Sequence, residues 1–176
     1  MMTKANAAPA GAQPPFGWKI AAMDESHARQ LCDWRYEPPY GIYQWPAWEV
    51  MEQAEMEFGD PELRQRQYAA ILDDRGELAG FAQFFPLGDE VLRLGLGLHP
   101  QLCSRGSGTA FVALLVEEAC RRAPNSELDL EVLTWNARAI RVYEKAGFRI
   151  TDTYIRPTPQ GAAEFHCMVY GGGEEA

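Results

Sequence analysis

The stretch from Leu92 to Val116 constrains the fold more than any other part of the chain. Leu92, Leu94, Leu96 and Leu98 alternate at period two, which puts them on one face of a strand from Val91 to Leu98. Arg93, Gly95 and Gly97 take the other face. A loop from His99 to Arg105 follows, then a helix from about Ser107 to Arg122. Glycine weakens a strand interior, so Gly95 and Gly97 point either to a bulge or to something that approaches the backbone closely. In Cys103-Ser104-Arg105-Gly106-Ser107-Gly108, two glycines let main-chain amides turn inward where the helix begins. A helix N-terminus carries unpaired N–H groups and about half a positive charge, so phosphate oxygens are stabilised there without a basic cluster. No Lys follows the glycines as a P-loop requires, and neither Gly95-Leu96-Gly97 nor Gly106-Ser107-Gly108 completes a GxGxxG pattern. ATP and NAD are therefore poor fits. Taken alone, a Gly-Ser-Gly before a helix is weak evidence, since a plain strand-to-helix turn more often explains it.

Around this stretch the chain reads as short alternating elements. Trp18 to Ala22 predicts a strand, and Asp24 or Ser26 caps a helix running to about Trp34. Arg35 to Trp45 is a loop holding Tyr36, Tyr40, Tyr43 and Trp45 among Pro38, Pro39 and Gly41. Pro46 suits the first turn of a second helix through Trp48, Met51 and Met56, which Gly59, Asp60 and Pro61 would end. Tyr68 to Leu72 and Leu78 to Phe85 form a hairpin about Asp73 to Gly76. Leu128 to Leu133 is a strand, Ala137 to Ala146 a helix, and Phe148 to Tyr154 with Glu164 to Tyr170 a closing hairpin. The order predicts an α/β fold, with a central twisted mixed sheet and flanking helices. A chain of 176 residues, 47% of them hydrophobic, suits one compact domain. Its expected bounds are residues 16–170, between a disordered lead at 1–15 and a flexible tail at 171–176.

Several function classes fall away on composition. A formal charge of -9 works against nucleic acid and anionic membranes, since both need clustered Lys and Arg, whereas a cationic substrate is compatible. No apolar run approaches the roughly 20 residues that span a bilayer, and the Ala- and Pro-rich start lacks the apolar core of a secretory signal. Four scattered cysteines without a CxxC pair suggest reduced thiols and a cytoplasmic setting. Pro100 between His99 and Cys103 argues against a helical metal pair, and no metal site is expected. His27 and His166 have no hydrolase context, which leaves them as surface or packing residues.

A second constellation gives the glycine loop its meaning. Leu130-Glu131-Val132 lies in a strand, Asn136 can cap the following helix, and Ala139, Tyr143 and Gly147-Phe148 follow at helical spacing. Strand, loop, helix, then strand and an Asn-capped helix ending YEKAGF resembles the GNAT superfamily of acetyl-CoA-dependent N-acetyltransferases. The motifs are most similar to the branch that acetylates protein N-termini or small amines. The resemblance covers Leu92 to about Phe148 well and the first sixty residues loosely. It implies a splayed pair of strands in the sheet and acetyl-CoA as co-substrate. Leu96, Gly97 and Leu98 would run beside the pantetheine, with Gly97 permitting the approach. Cys103, Ser104, Arg105, Gly106, Ser107 and Gly108 would hold the pyrophosphate, and Asn136 would both cap its helix and contact the pantetheine. Such phosphate loops usually begin with Gln or Arg where this chain has Cys103, a position that Ser104 or Arg105 would compensate.

The resemblance also implies catalytic roles. An amine arrives mostly as ammonium, since a Lys side chain titrates near 10.4 and an α-amino group near 8, so a base must take a proton before attack. Glu131 is the candidate, directly or through water; the bland alternative is an ion-paired strand residue. Tyr143 would protonate the departing thiolate. Tyr36, Glu37 and Tyr40 would line the acceptor pocket, where aromatic faces suit an amine cation. The expected activity is acetyl transfer to a primary amine, in a small molecule or at a peptide N-terminus, by direct attack in a ternary complex. The alternative is a catalytically silent acyl-CoA-binding sensor, which would need neither Glu131 nor Tyr143. Oligomeric state is open, a homodimer included.

Overall fold

The computed structural model describes residues 16–171, so the expected lead and most of the expected tail lie outside the described residues. Seven strands form a mixed sheet in the order β1-β2-β3-β4-β5-β7-β6, flanked by helices. The strands are β1 (Lys19–Ala22), β2 (Tyr68–Leu72), β3 (Leu78–Leu87), β4 (Val91–Leu98), β5 (Glu127–Leu133), β6 (Phe148–Thr158) and β7 (Gly161–Tyr170). The helices are α1 (Glu25–Asp33), α2 (Trp48–Gln53), α3 (Pro61–Gln67), α4 (Gly108–Arg122) and α5 (Ala137–Lys145). The described chain divides into two compact units, and β3 and β4 contribute residues to both.

The first unit comprises residues 16–83 with Leu96–Arg105. β1, β2 and β3 pair antiparallel here, from Lys19↔Leu72 to Tyr68↔Gln83. Its core is aromatic: the Trp45 ring lies edge-on to Phe58 at 4.8 Å and to Phe81 at 6.1 Å, and Phe58 is edge-on to Tyr68 at 5.6 Å. The helical expectation after Trp48 needs correction. α2 stops at Gln53, and Asp60 and Pro61 start a helix rather than end one. The Asp60 carboxylate accepts from the amides of Glu62 and Leu63, and Pro61 takes the first helical position, where its missing N–H costs nothing. Between the two helices, Glu55 and Glu57 both adopt φ +48°. That backbone is disfavoured for L residues. It is held by the complete burial of Phe58 and by the Tyr68 hydroxyl donating to Glu57 at 2.5 Å.

The same core explains one strand glycine. A Cβ on Gly97 would sit 2.3 Å from the Phe81 ring, and that ring is packed against Trp34 and Trp45. Phe81 alone therefore accounts for glycine at this position, through ordinary packing of an aromatic ring on the strand backbone.

The second unit comprises Phe84–Gly95 with residues 106–171. β5 and β7 pair antiparallel from Asp129↔Val169 to Leu133↔Phe165, with β6 outside β7. The hairpin is longer than the sequence suggests, because pairing continues past Tyr154↔Phe165 to Thr158↔Gly161. Alternation along β5 buries Leu128, Leu130 and Val132 on one face, and α4, which packs on β5, buries Phe111, Val112, Leu115, Val116 and Ala119. The opposite face carries Asp129 and Glu131.

β4 and β5 run parallel and pair through Val91↔Glu127, Leu92↔Leu128 and Arg93↔Asp129. Beyond that rung β4 continues to Leu98 and β5 to Leu133, in line with the splayed pair that the family resemblance implies. The last rung is clamped: Arg93 Nε and Nη2 donate to the two Asp129 oxygens at 2.9 and 2.7 Å. The hydrogen bond to Asp129 raises the Arg93 guanidinium further above its ordinary range, so its charge is permanent.

Two substitutions test this packing by denaturant unfolding. Gly97→Ala should lower stability by about 1–3 kcal/mol, the usual effect of overpacking, and an unchanged midpoint would show that Phe81 yields. Arg93→Met strands the buried Asp129 carboxylate and should lower stability by about 3–5 kcal/mol; a neutral result would mean the clamp is not needed.

Candidate active site

The glycine loop splits by cause. Ser104 and Gly106 adopt φ +61° and +80°, the left-handed region, and a Cβ on Gly106 would meet nothing within 4 Å. Gly106 is thus required by backbone conformation. Ser107 follows at φ −91°, ψ −9°, so a left-handed residue precedes a right-handed one at the first turn of α4. Consecutive amides in that conformation converge into a concavity suited to anions, reinforced by the helix terminus. Gly108 has a packing reason instead: its Cβ would lie 3.2 Å from Val142, so α4 approaches α5 closely at this point. Cys103 is half-buried, its Sγ 3.7 Å from the Leu98 carbonyl and 3.6 Å from that of His99. Arg105 is exposed.

In the first unit, Leu96 to Leu98 are half-buried, and the Tyr36 hydroxyl donates to the Leu98 carbonyl at 2.9 Å. The expected acceptor residue is therefore tied to the end of the expected pantetheine strand. Tyr40 is half-buried at the start of a 3-10 turn, and Glu37 is exposed, its carbonyl accepting from the Tyr40 amide. His99 caps the 3-10 turn Pro100–Leu102 by accepting from the Gln101 amide at Nδ1, which assigns its proton to Nε2. Burial pushes its imidazole below the ordinary range.

In the second unit, Asn136 is buried and caps α5, its Oδ1 accepting from the Ala139 amide at 3.1 Å. Tyr143 lies seven residues on, two turns along the same helix face, with its ring edge-on to Phe148 at 6.2 Å. The Gly108–Val142 contact seats this helix against the N-terminal turn of α4.

Glu131 sits in a polar cluster that the sequence does not announce. Its side chain is only 10% exposed. Oε1 accepts from Arg93 Nη1 at 3.0 Å and from Arg156 Nη1 at 2.6 Å, while Oε2 accepts from the Tyr154 hydroxyl at 2.5 Å. A carboxylate oxygen offers about two lone pairs, so Oε1 is filled and Oε2 retains one position. Burial, and then the Glu131 carboxylate, push the Tyr154 phenol well above its ordinary range, which keeps it a donor. Cys167 completes the group, its thiol 3.5 Å from Asp129 Oδ2 and raised by burial and then by that carboxylate.

Arg93, Asp129, Tyr154 and Arg156 thus form a cluster around the candidate Glu131 that is absent from the sequence expectation. One signal was available: Asp129 and Glu131 share a strand face beside a strand that carries a lone Arg93, and buried carboxylates require cations. Arg156 had none, because its place depends on β6–β7 pairing with an irregularity between Ile150 and Asp152. Among the described residues, no group of three or more His, Cys, Asp or Glu is placed to hold a metal ion, and no helix is long and apolar enough to cross a membrane.

Comparison with known proteins supplies the family. Residues 28–148 match the model of the acetyltransferase (GNAT) family. No curated protein matches the sequence. Among solved structures, the spermidine N-acetyltransferase from Vibrio cholerae in complex with CoA and spermine is 12% identical, with a TM-score of 0.63 over 89% of this chain and 97% of that one. The ribosomal-protein-S18-alanine N-acetyltransferase from Escherichia coli is 22% identical, with a TM-score of 0.60 over 90% and 97%. At these identities the structures establish a shared fold. The family match spans well over half of the chain, and the protein belongs to the GNAT family of acetyltransferases, as an N-acetyltransferase.

Proposed function

We propose that this N-acetyltransferase moves an acetyl group from acetyl-CoA to a primary amine by direct attack in a ternary complex. One observation supports the reading above the others: the Gly108–Val142 contact seats the helix bearing Asn136 and Tyr143 against the anion-binding turn at Gly106 and Ser107. A polyanionic cofactor and a proton donor for its thiolate are what such an arrangement serves. The names of the structural neighbours, a spermidine and an S18-alanine N-acetyltransferase, both imply amine acceptors, and one neighbour was solved with CoA.

In this reading the main-chain amides of Gly106, Ser107 and Gly108 bind the pyrophosphate, with Cys103, Ser104 and Arg105 flanking it. Leu96, Gly97 and Leu98 offer backbone groups to the pantetheine, which also meets Asn136. The acceptor enters past Tyr36, Glu37 and Tyr40. Its ammonium gives a proton to Glu131 at the remaining Oε2 position, directly or through water, and the neutral nitrogen then attacks the thioester carbonyl. The new C–N bond forms and the C–S bond breaks; the thiolate takes the Tyr143 proton, and the acetylated nitrogen gives up its second proton through solvent to the Tyr143 phenolate, which leaves a neutral amide and restores the phenol. Glu131 keeps its orientation because Arg93 and Tyr154 grip both of its oxygens.

Two substitutions test these roles. Tyr143→Phe should lower kcat by about a hundredfold while acetyl-CoA affinity is kept, as for loss of a general acid; unchanged turnover would remove Tyr143 from the reaction. Glu131→Gln should lose a similar factor near neutral pH and recover as rising pH deprotonates the free amine. A loss that is flat with pH and accompanied by a lower unfolding temperature would assign Glu131 to structure instead.

A further inference from the structure

The three donors on Glu131 are not equivalent. Arg93 is fixed, with Nε and Nη2 on Asp129 and Nη1 on Glu131. Tyr154 is half-buried and donates its single proton to Oε2. Arg156 differs: its side chain is 49% exposed, its guanidinium lies 4.6 Å over the Phe165 ring, and of its donors Nη1 alone is given to Glu131. A guanidinium has five N–H groups in a planar fork, and the aromatic face beneath holds that plane. Arg156 therefore presents a half-solvated fork directly beside the carboxylate, without a second carboxylate to satisfy it among the described residues.

We infer that Arg156 is a specificity-determining residue that selects acceptors bearing a carboxylate next to the amine, that is, small amino acids rather than polycationic amines. The inference rests on Glu131 taking the acceptor's proton. The chemistry follows from the shared anchor. The open position for the amine is on Glu131 Oε2, and Arg156 holds Oε1 of that same carboxylate at 2.6 Å. A group that reaches both must carry its ammonium and its anion only a few atoms apart. The free edge of the fork takes a carboxylate through paired hydrogen bonds, the geometry at which arginine excels. An extended polyamine would instead bring a second positive charge against Arg156.

The test compares acetyl transfer to a panel of α-amino acids with transfer to their carboxamides, and with spermidine. Each amide keeps the amine and side chain and lacks the anion. For the best acceptor, wild type should favour the acid over its amide by about tenfold or more in kcat/KM, the usual scale of a charge-assisted hydrogen-bonded pair. In Arg156→Gln that ratio should fall to about one, the loss entering through the KM of the acid. Arg156→Lys should restore part of it, and Arg156→Glu should shift preference toward spermidine. Transfer with no preference for the acid, or a preference that survives in Arg156→Gln, overturns this inference alone. Transfer to none of these amines while peptide N-termini or other primary amines are acetylated also overturns this inference alone, and transfer to no primary amine at all, with acetyl-CoA bound, overturns the reaction reading with it.

Discussion

The guanidinium of Arg93 stands where β4 and β5 part, and much of the second unit is organised around it. Two of its donors close the last rung on Asp129 and the third reaches Glu131 two residues further along β5. A parallel pair that separates after three rungs invites fraying. A bidentate ion pair at the final rung fixes the branch point with a geometry that a lysine could not reproduce. The same cation neutralises a carboxylate that burial would otherwise disfavour. Structure and chemistry therefore share one side chain: the group that ends the pairing also orients the proposed base.

The glycines show how one glycine-rich signature is built from unrelated physical demands. Gly106 supplies a left-handed backbone, Gly108 lets two helices touch through Val142, and Gly97 makes room for the Phe81 ring. One sequence signature thus records three constraints. The Phe81 constraint ties the backbone of Leu96 to Leu98 to the aromatic core of Trp34, Trp45 and Phe58, which holds that segment in place without any ligand.

Much of the fold was legible because local rules carry it. Period-two alternation marks β4 and β5, and Asn136 announces α5 with a cap that the structure contains. The start of α3 has a local signal too: Asp60-Pro61 reads as a stop after Trp48 to Met56, and the same pair is a start signal once a helical turn follows. The Arg156 side of the polar cluster was not readable. Glu131 and Arg156 are 25 residues apart, and their meeting depends on hairpin register across an irregular step, which no local pattern encodes. Gly97 was similarly ambiguous, since a ligand and a buried ring impose the same absence of a side chain.

Acetyl transfer itself is tested most directly by mixing the protein with acetyl-CoA and a broad set of primary amines, and titrating the free coenzyme A thiol. An N-acetyltransferase built as described releases thiol in step with acetylated amine, well above the hydrolytic background. Thiol at background level for every amine, in protein that measurably binds coenzyme A, would contradict the proposed reaction.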